Sequence, residues 1–300
     1  MLKKFIFFFF QKLISIRSIH LLFYKFLPDT KYYHFSNISC WNKKSLISFV
    51  INKLARLKHP RPIFKNIVIH DTRTINLSLD ITEFTSSAYY LGLVSEPLLK
   101  LISCRKGGAF IDIGANIGFY SLMASNYFHR VYSFEPVSFN HEKLIVNIKN
   151  NNIKNIIPIK KALGEKQAEM MMFLNPQNAG GNSLLDKKGE SWRDPNLKEK
   201  VLVDTLDQIL NFKDVKLIKI DVEGFEEFVI KGGKKLLDKH KPAIFLEVNE
   251  DLKRAQRILN FCPNNYVYFN SAGTETIEND MIYCDKSEAV LIKKSLMNDQ

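Results

Sequence analysis

Phe110, Ile111 and Ile113 run directly into Gly114-Ala-Asn-Ile-Gly118, and Phe119-Tyr-Ser-Leu-Met-Ala-Ser125 follows with the character of a helix. An apolar strand that ends in a glycine turn and opens a helix is the start of a βαβ unit, so it points to a parallel sheet with crossover helices. A turn of this shape brings backbone N–H groups and a helix N-terminus up to a ligand. About twenty residues beyond Gly114, the short strand Val131–Phe134 ends on Glu135. Nucleotide-binding units place a carboxylate on ribose hydroxyls at that distance. Together the two features predict a nucleoside cofactor.

The turn also excludes one class of cofactor. A dinucleotide site needs G-x-G-x-x-G so that the second glycine admits a pyrophosphate, whereas Ala115 and Asn116 break that pattern. Asp112, beside the turn, repels phosphate and attracts an amine. S-adenosylmethionine, with an adenosine, an amino acid tail and no phosphate, meets both conditions.

Charge is unevenly placed. The net charge is +12, and residues 1–70 hold 13 Lys and Arg against one acid, Asp29, while the other 230 residues balance 30 basic with 30 acidic groups. A nucleic-acid substrate calls for a basic surface around the site, so none is expected. Cys40, Cys104, Cys262 and Cys284 lie far apart, and neither C-x-x-C nor H-x-x-x-H occurs. Zinc spacing is absent and no metal ligand is assigned, although a two-carboxylate site from Asp221 and Glu247 stays conceivable; no disulfide framework is expected, and the natural compartment is the reducing cytoplasm.

Residues 1–27 are rich in Phe and Ile and carry Lys3, Lys4, Lys12, Arg17 and Lys25. The apolar run Phe5–Phe10 is too short for a signal peptide, and Lys12 and Arg17 interrupt every candidate membrane span. Two readings stand: a basic amphipathic helix lying peripherally on an anionic membrane, at the inner face, or a helix docked on the catalytic domain. A second helix is expected over 43–56, and His59-Pro-Arg-Pro62 then marks a boundary. The division is a basic helical extension over 1–62 and a catalytic domain over 63–300.

Downstream, Ile67–His70 and Ile75–Ile81 alternate as a hairpin, and Glu96–Leu101 forms a short helix. Further strands are expected at Ile156–Ala162, Ala168–Leu174, Leu217–Ile220, Ala243–Leu246, Tyr266–Phe269 and Ala289–Ile292. Helices are expected at 141–149, 225–230 and 251–260, and 175–200 reads as a polar loop without periodicity, either a lid or plain surface. Alternating strands and helices make an α/β fold, an open and mainly parallel sheet with helices on both faces. Ligands of such sheets sit outside the carboxyl ends of the strands, where Asp112, Glu135, Asp221 and Glu247 fall.

The run FIDIGANIGFYSL, then FEP at 134–136, ALG at 162–164, VDTLDQIL, KIDVEGFEEFVIKGG and FLEV resembles the FkbM family of S-adenosylmethionine-dependent methyltransferases, over roughly Ser95–Val248. The resemblance implies a class I, Rossmann-like methyltransferase fold and O-methylation of a hydroxyl on a sugar, glycan or natural product. Ser95-Glu96-Pro97 resembles the family's upstream Glu-Pro element, with Ser where an aromatic residue is more usual, and assigns Glu96 to the cofactor.

Site roles follow. Gly114, Ala115, Asn116 and Gly118 are expected along the amino acid tail, Asp112 on its ammonium directly or through water, Glu135 on the ribose, and Ala162 and Leu163 at the adenine edge. A hydroxyl acceptor needs a base as the bond forms, and the candidates are Asp221, Glu223 and Glu247. Glu223 has the alternative of capping the next helix. The place of the Asn/Asp-Pro-Pro-aromatic tetrad of amine methylation reads Asp221-Val-Glu-Gly224, and no cysteine is expected at a cofactor-facing strand end except Cys104. Two rival functions remain open: a nicotinamide-dependent (NAD) oxidoreductase on a similar fold, and a non-catalytic scaffold at a membrane surface.

Overall fold

The computed structural model describes residues 64–67, 75–80, 83–90, 94–175, 178–186, 196–209, 213–248 and 250–297. The expected helices at 1–27 and 43–56 and the break at 59–62 lie outside the described residues.

Strands β1 (Phe64–Ile67) and β2 (Leu77–Asp80) pair antiparallel, as the expected hairpin does, one strand starting earlier than its alternation suggests. Helix α1 (Phe84–Tyr90) follows, then α2 (Glu96–Cys104), whose proline sits in the first turn, where a missing N–H costs nothing. β3 (Ala109–Ile113) is buried at all five positions, which is why it reads as an unbroken apolar run. After α3 (Phe119–Ala124), β4 (Arg130–Phe134) and α4 (Ser138–Asn150) comes β5 (Ile156–Ile159). Pro158 is tolerated in β5 because that strand is an edge of the sheet.

β6 (Ala162–Leu163), β7 (Ala168–Phe173) and β8 (Lys198–Asp204) form a small second sheet in the order β6-β8-β7. Then follow α5 (Leu206–Ile209), β9 (Val215–Ile220), α6 (Glu226–Lys231), α7 (Lys234–His240) and β10 (Ala243–Glu247). The last elements are α8 (Leu252–Phe261), β11 (Tyr266–Phe269), β12 (Asp280–Asp285) and α9 (Lys286–Met297).

The main sheet has the order β11-β12-β10-β9-β3-β4-β5. β5, β4, β3, β9 and β10 are parallel, and β12 runs antiparallel to β10 and to β11. This is the class I methyltransferase arrangement expected from the sequence. Alternate residues divide its core. Phe110, Leu217 and Phe245 pack with α2, α3 and α9, whereas Ile111, Ile113, Ile218, Ile220 and Leu246 pack with α6, α7 and α8.

Three expectations are corrected. The strand expected at Ile156–Ala162 breaks at Lys160-Lys161. Lys161 ties its ammonium to Asp204 at 2.8 Å, and Ala162-Leu163 moves to the small sheet to pair with β8. Ala289–Ile292 is helical, because its buried residues Ala289, Ile292 and Leu296 recur at helical spacing on α9. The strand that completes the sheet is β12, overlooked because its polar ends mask four buried residues between them. The expected loop at 175–200 yields its last three residues to β8.

The small sheet is fastened to the main one at a glycine. A Cβ on Gly232 would lie 1.9 Å from the Gly164 carbonyl oxygen. Gly232→Ala is therefore expected to lower stability by about 1–3 kcal/mol, the usual cost of overpacking, which urea unfolding measures.

Candidate active site

A cavity of about 970 Å³ opens at the carboxyl ends of β3, β4, β9 and β10, a volume at the upper end of those that hold small molecules. Gly114 and Asn116 line it after β3, Glu135 to Val137 after β4, Asp221 to Glu223 after β9, and Glu247 after β10. Glu96 reaches it from the first turn of α2, Ala162 and Leu163 from β6, and Glu278 to Asp280 from the approach to β12. No histidine or cysteine stands among the described lining residues.

The glycine turn does something other than the sequence suggests. Its amides are consumed inside the protein: Gly114 and Ala115 N–H both donate to the Phe134 carbonyl, Asn116 N–H to Glu135, and Gly118 N–H to the Ala115 carbonyl. The expected cradle of free N–H groups is thereby corrected for these four positions. Gly114, at φ +76°, is required by a neighbour, since a Cβ there would lie 1.9 Å from the Asp221 carbonyl oxygen. Ala115 and Gly118 do not line the cavity. Ala115 is in the core, and Gly118, at φ +92°, leaves room for Leu144.

Asp112 also turns away from the cavity. It is fully buried, accepts from Ser121 Oγ at 2.6 Å, and lies 3.1 Å from the ammonium of Lys219. The two are direct partners in the β3–β9 register. The sequence places Asp112 on a ligand's ammonium directly or through water; the partners it has in the structure are Ser121 and Lys219. Lys219, 3% exposed, also donates to the Gly114 carbonyl at 2.7 Å, stands 3.5 Å from Asp221 Oδ2, and lies over the Tyr120 ring. Burial works to lower its pKa, but Asp112 and Asp221 outweigh burial and hold it above the usual value. Lysine in a central parallel strand is costly unless paired. Lys219 within Leu217-Ile-Lys-Ile220 was therefore a legible signal, and the sequence reading passed over it.

On the other side of the turn, Glu135 is 5% exposed and accepts from the Asn116 N–H at 2.9 Å and the Val137 N–H at 3.0 Å. Burial pushes its pKa up to about 7 against those hydrogen bonds. Asn140, in the first turn of α4, donates through Nδ2 to the Ala179 carbonyl at 3.1 Å. That carbonyl belongs to a strap over 178–182 that crosses the cavity. Glu83 accepts from the Ala179 N–H, Thr85 donates to Asn178, and Ser183 Oγ donates to the Glu223 carbonyl. Part of the expected polar loop is thus a fastened wall.

The carboxylates expected on the acceptor side come together. Asp221 follows β9 and Glu247 is the last residue of β10, adjacent parallel strands paired at Ile220 and Leu246. Burial raises the pKa of Glu247 to about 8, with Asp221 and Glu223 adding repulsion, and that of Asp280 to about 6, with Asp221 and Glu278 adding to it. Glu223 sits at φ +55°, in the turn that leads to α6. Glu226 holds that turn: it is fully buried, accepts from the Val222 and Gly224 N–H groups, and pairs with Arg254.

The Methyltransferase FkbM domain model matches residues 112–270. Methyltransferase 1 of Beauveria bassiana (strain ARSEF 2860) is 26% identical over 141 residues, which cover 41% of this chain and 57% of that protein. The crystal structure of Methyltransferase FkbM from Methylobacillus flagellatus KT is 16% identical, covers 81% of this chain and 55% of its own, and superposes with a TM-score of 0.44. SMU.1697c of Streptococcus mutans, solved in complex with SAH, is 12% identical with a TM-score of 0.38, over 64% of this chain and 99% of that one. The chain thus spans little more than half the length of the first two relatives.

Removing Lys219 strands Asp112 in the core. Lys219→Met is expected to cost about 3–5 kcal/mol, as breaking a buried pair does. The double variant Asp112→Asn/Lys219→Met should recover part of that loss in urea unfolding. Additive losses would show that the two side chains do not depend on each other.

Proposed function

This chain belongs to the FkbM methyltransferase family, and on that premise we propose that it methylates a hydroxyl of a sugar, glycan or natural-product-like acceptor. S-adenosylmethionine supplies the methyl group as a sulfonium substituent. The family match speaks against the nicotinamide reading, and the turn, with four of its amides consumed, offers little to a pyrophosphate.

The residues fit the nucleoside. Glu135 presents a buried carboxylate, Asn140 Oδ1 is a buried acceptor without a partner, and Ala162 and Leu163 edge the same cavity. Gly114 and Asn116 line the side nearest Asp221, and Glu96 offers a carboxylate to an amine.

The observation that carries O-methylation is the cluster of Asp221, Glu223, Glu247 and Asp280 on the acceptor side of a cavity whose described lining holds no histidine or cysteine. An alcohol must lose its proton as the new bond forms, and a base is most effective when its pKa is near the working pH. Glu247, held near 8, is that base. Asp221, fixed between Lys219 and the Gly114 turn, orients the acceptor beside it. The remaining parts of the reading are cytoplasmic placement and a peripheral contact of residues 1–27 with anionic membrane. The concentration of basic charge in residues 1–70 supports the membrane contact, and four widely spaced cysteines without C-x-x-C support the reducing compartment.

Glu247 acts in its ionised form, so kcat/KM is expected to rise with pH and level off above about 8. Glu247→Gln should lower the rate by about 10²–10⁴-fold and flatten that rise, while S-adenosylhomocysteine still binds. Transfer of a labelled methyl group to a panel of hydroxylated glycans and lipids measures both effects. Labelling of amines with alcohols left untouched would overturn the reading.

A further inference from the structure

Glu223 and Gly224 both stand in the left-handed region, at φ +55° and +106°. Glycine adopts it freely, whereas a residue with a Cβ persists there only where its surroundings fix it. One peptide group is gripped here at both ends. Its N–H, from Gly224, donates to Glu226 Oε1 at 3.2 Å, and its carbonyl, from Glu223, accepts from Ser183 Oγ at 2.8 Å. Ser183 is 1% exposed and is itself held firmly. Its backbone exchanges two hydrogen bonds with Phe173 of β7, at 3.1 and 2.9 Å. Its Oγ accepts from the Leu185 N–H at 3.1 Å, which leaves the hydroxyl proton to the Glu223 carbonyl. A glycine at position 223 would relax the turn. The glutamate instead keeps a carboxylate on the lining of the cavity, next to Asp221. A strained backbone position at such a place points to a side chain held for use.

We infer that Ser183 is a positioning residue of the active site: by holding the Glu223 carbonyl it keeps residue 223 left-handed and sets the Glu223 carboxylate on the acceptor side of the cavity. The inference rests on the methyltransferase reading and deepens it, since Ser183 does not line the cavity and acts through a residue that does. Ser183 also follows directly on the strap, whose Asn178, Gly180 and Asn182 line the cavity. Wall and carboxylate are therefore set by one side chain.

Glu247 reports where that carboxylate stands. Burial raises its pKa most, then Asp221 and Glu223, with Asp280 adding less and the Asn279 amide opposing. Carbon-13 NMR of the full chain, labelled at the glutamate carboxyls, follows this titration, and Glu247→Gln assigns the signal. The wild-type midpoint, near 8, is expected to fall by about 0.5–1 in pH in Glu223→Gln. Ser183→Ala should move it in the same direction and add nothing in the double variant Ser183→Ala/Glu223→Gln. Ser183→Thr keeps the hydroxyl and should titrate as wild type does. A midpoint unmoved in Glu223→Gln or in Ser183→Ala would overturn the proposal. So would equal displacement in Ser183→Ala and Ser183→Thr, which would make packing rather than the hydrogen bond the cause. Labelled-methyl transfer to the panel of glycans and lipids is expected to fall about tenfold in Ser183→Ala, and unchanged transfer beside a moved midpoint would reduce Ser183 to a structural tie. A wild-type chain that titrates as expected but labels no hydroxyl would keep the placement of Glu223 and sink the O-methylation reading.

Discussion

The pairing of Asp112 with Lys219 is the constraint on which the site is built. Neither charge is tolerable alone in the centre of a parallel sheet, and neighbouring strands in register bring them together. Once paired, the lysine has donors to spare, and it directs them to the Gly114 carbonyl and to Asp221. One buried ammonium thus ties the glycine turn after β3 to the carboxylate after β9. Under the function proposed above, where methyl transfer requires donor and acceptor to be aligned more than strongly activated, the same tie would hold the two sides in place.

Gly114 extends the same logic to the backbone. Its missing side chain admits the Asp221 carbonyl, and the Asp221 N–H donates to the Ile113 carbonyl at 3.1 Å. β3 and β9 therefore end as a unit, with their loops in contact. Around that unit burial, with repulsion among the carboxylates added to it, keeps Glu247 and Asp280 protonated to a higher pH than usual. Two buried glutamates serve different ends. Glu226 is consumed in holding a turn, and Glu135 braces the glycine turn through the Asn116 N–H while lining the cavity.

What could be read from the chain alone came from local periodicity and from motif spacing. The apolar run of β3, the turn, and Glu135 about twenty residues later predicted the βαβ unit and a carboxylate at the cavity, because each depends on neighbours in sequence. The same reading mistook Ala289–Ile292 for a strand, since four apolar-rich residues do not distinguish a period of two from the face of a helix. It missed β12, and with it Asn279 and Asp280, because that strand's burial comes from neighbours far away in the chain.

Asp112 shows the division most clearly. Its position next to a glycine turn, read locally, assigns it to a ligand, and only the register of β3 against β9 reveals that its partner is Lys219, more than a hundred residues on. Fold class, family and the carboxylates at the ends of β4, β9 and β10 were legible along the chain, because strand periodicity and motif spacing are local properties. Only the packed fold separates carboxylates that line the cavity, such as Glu135 and Glu247, from those spent on internal pairs, such as Asp112 and Glu226. Charge pairing and burial are set by residues brought together from distant parts of the chain, and spacing along the chain carries no record of them.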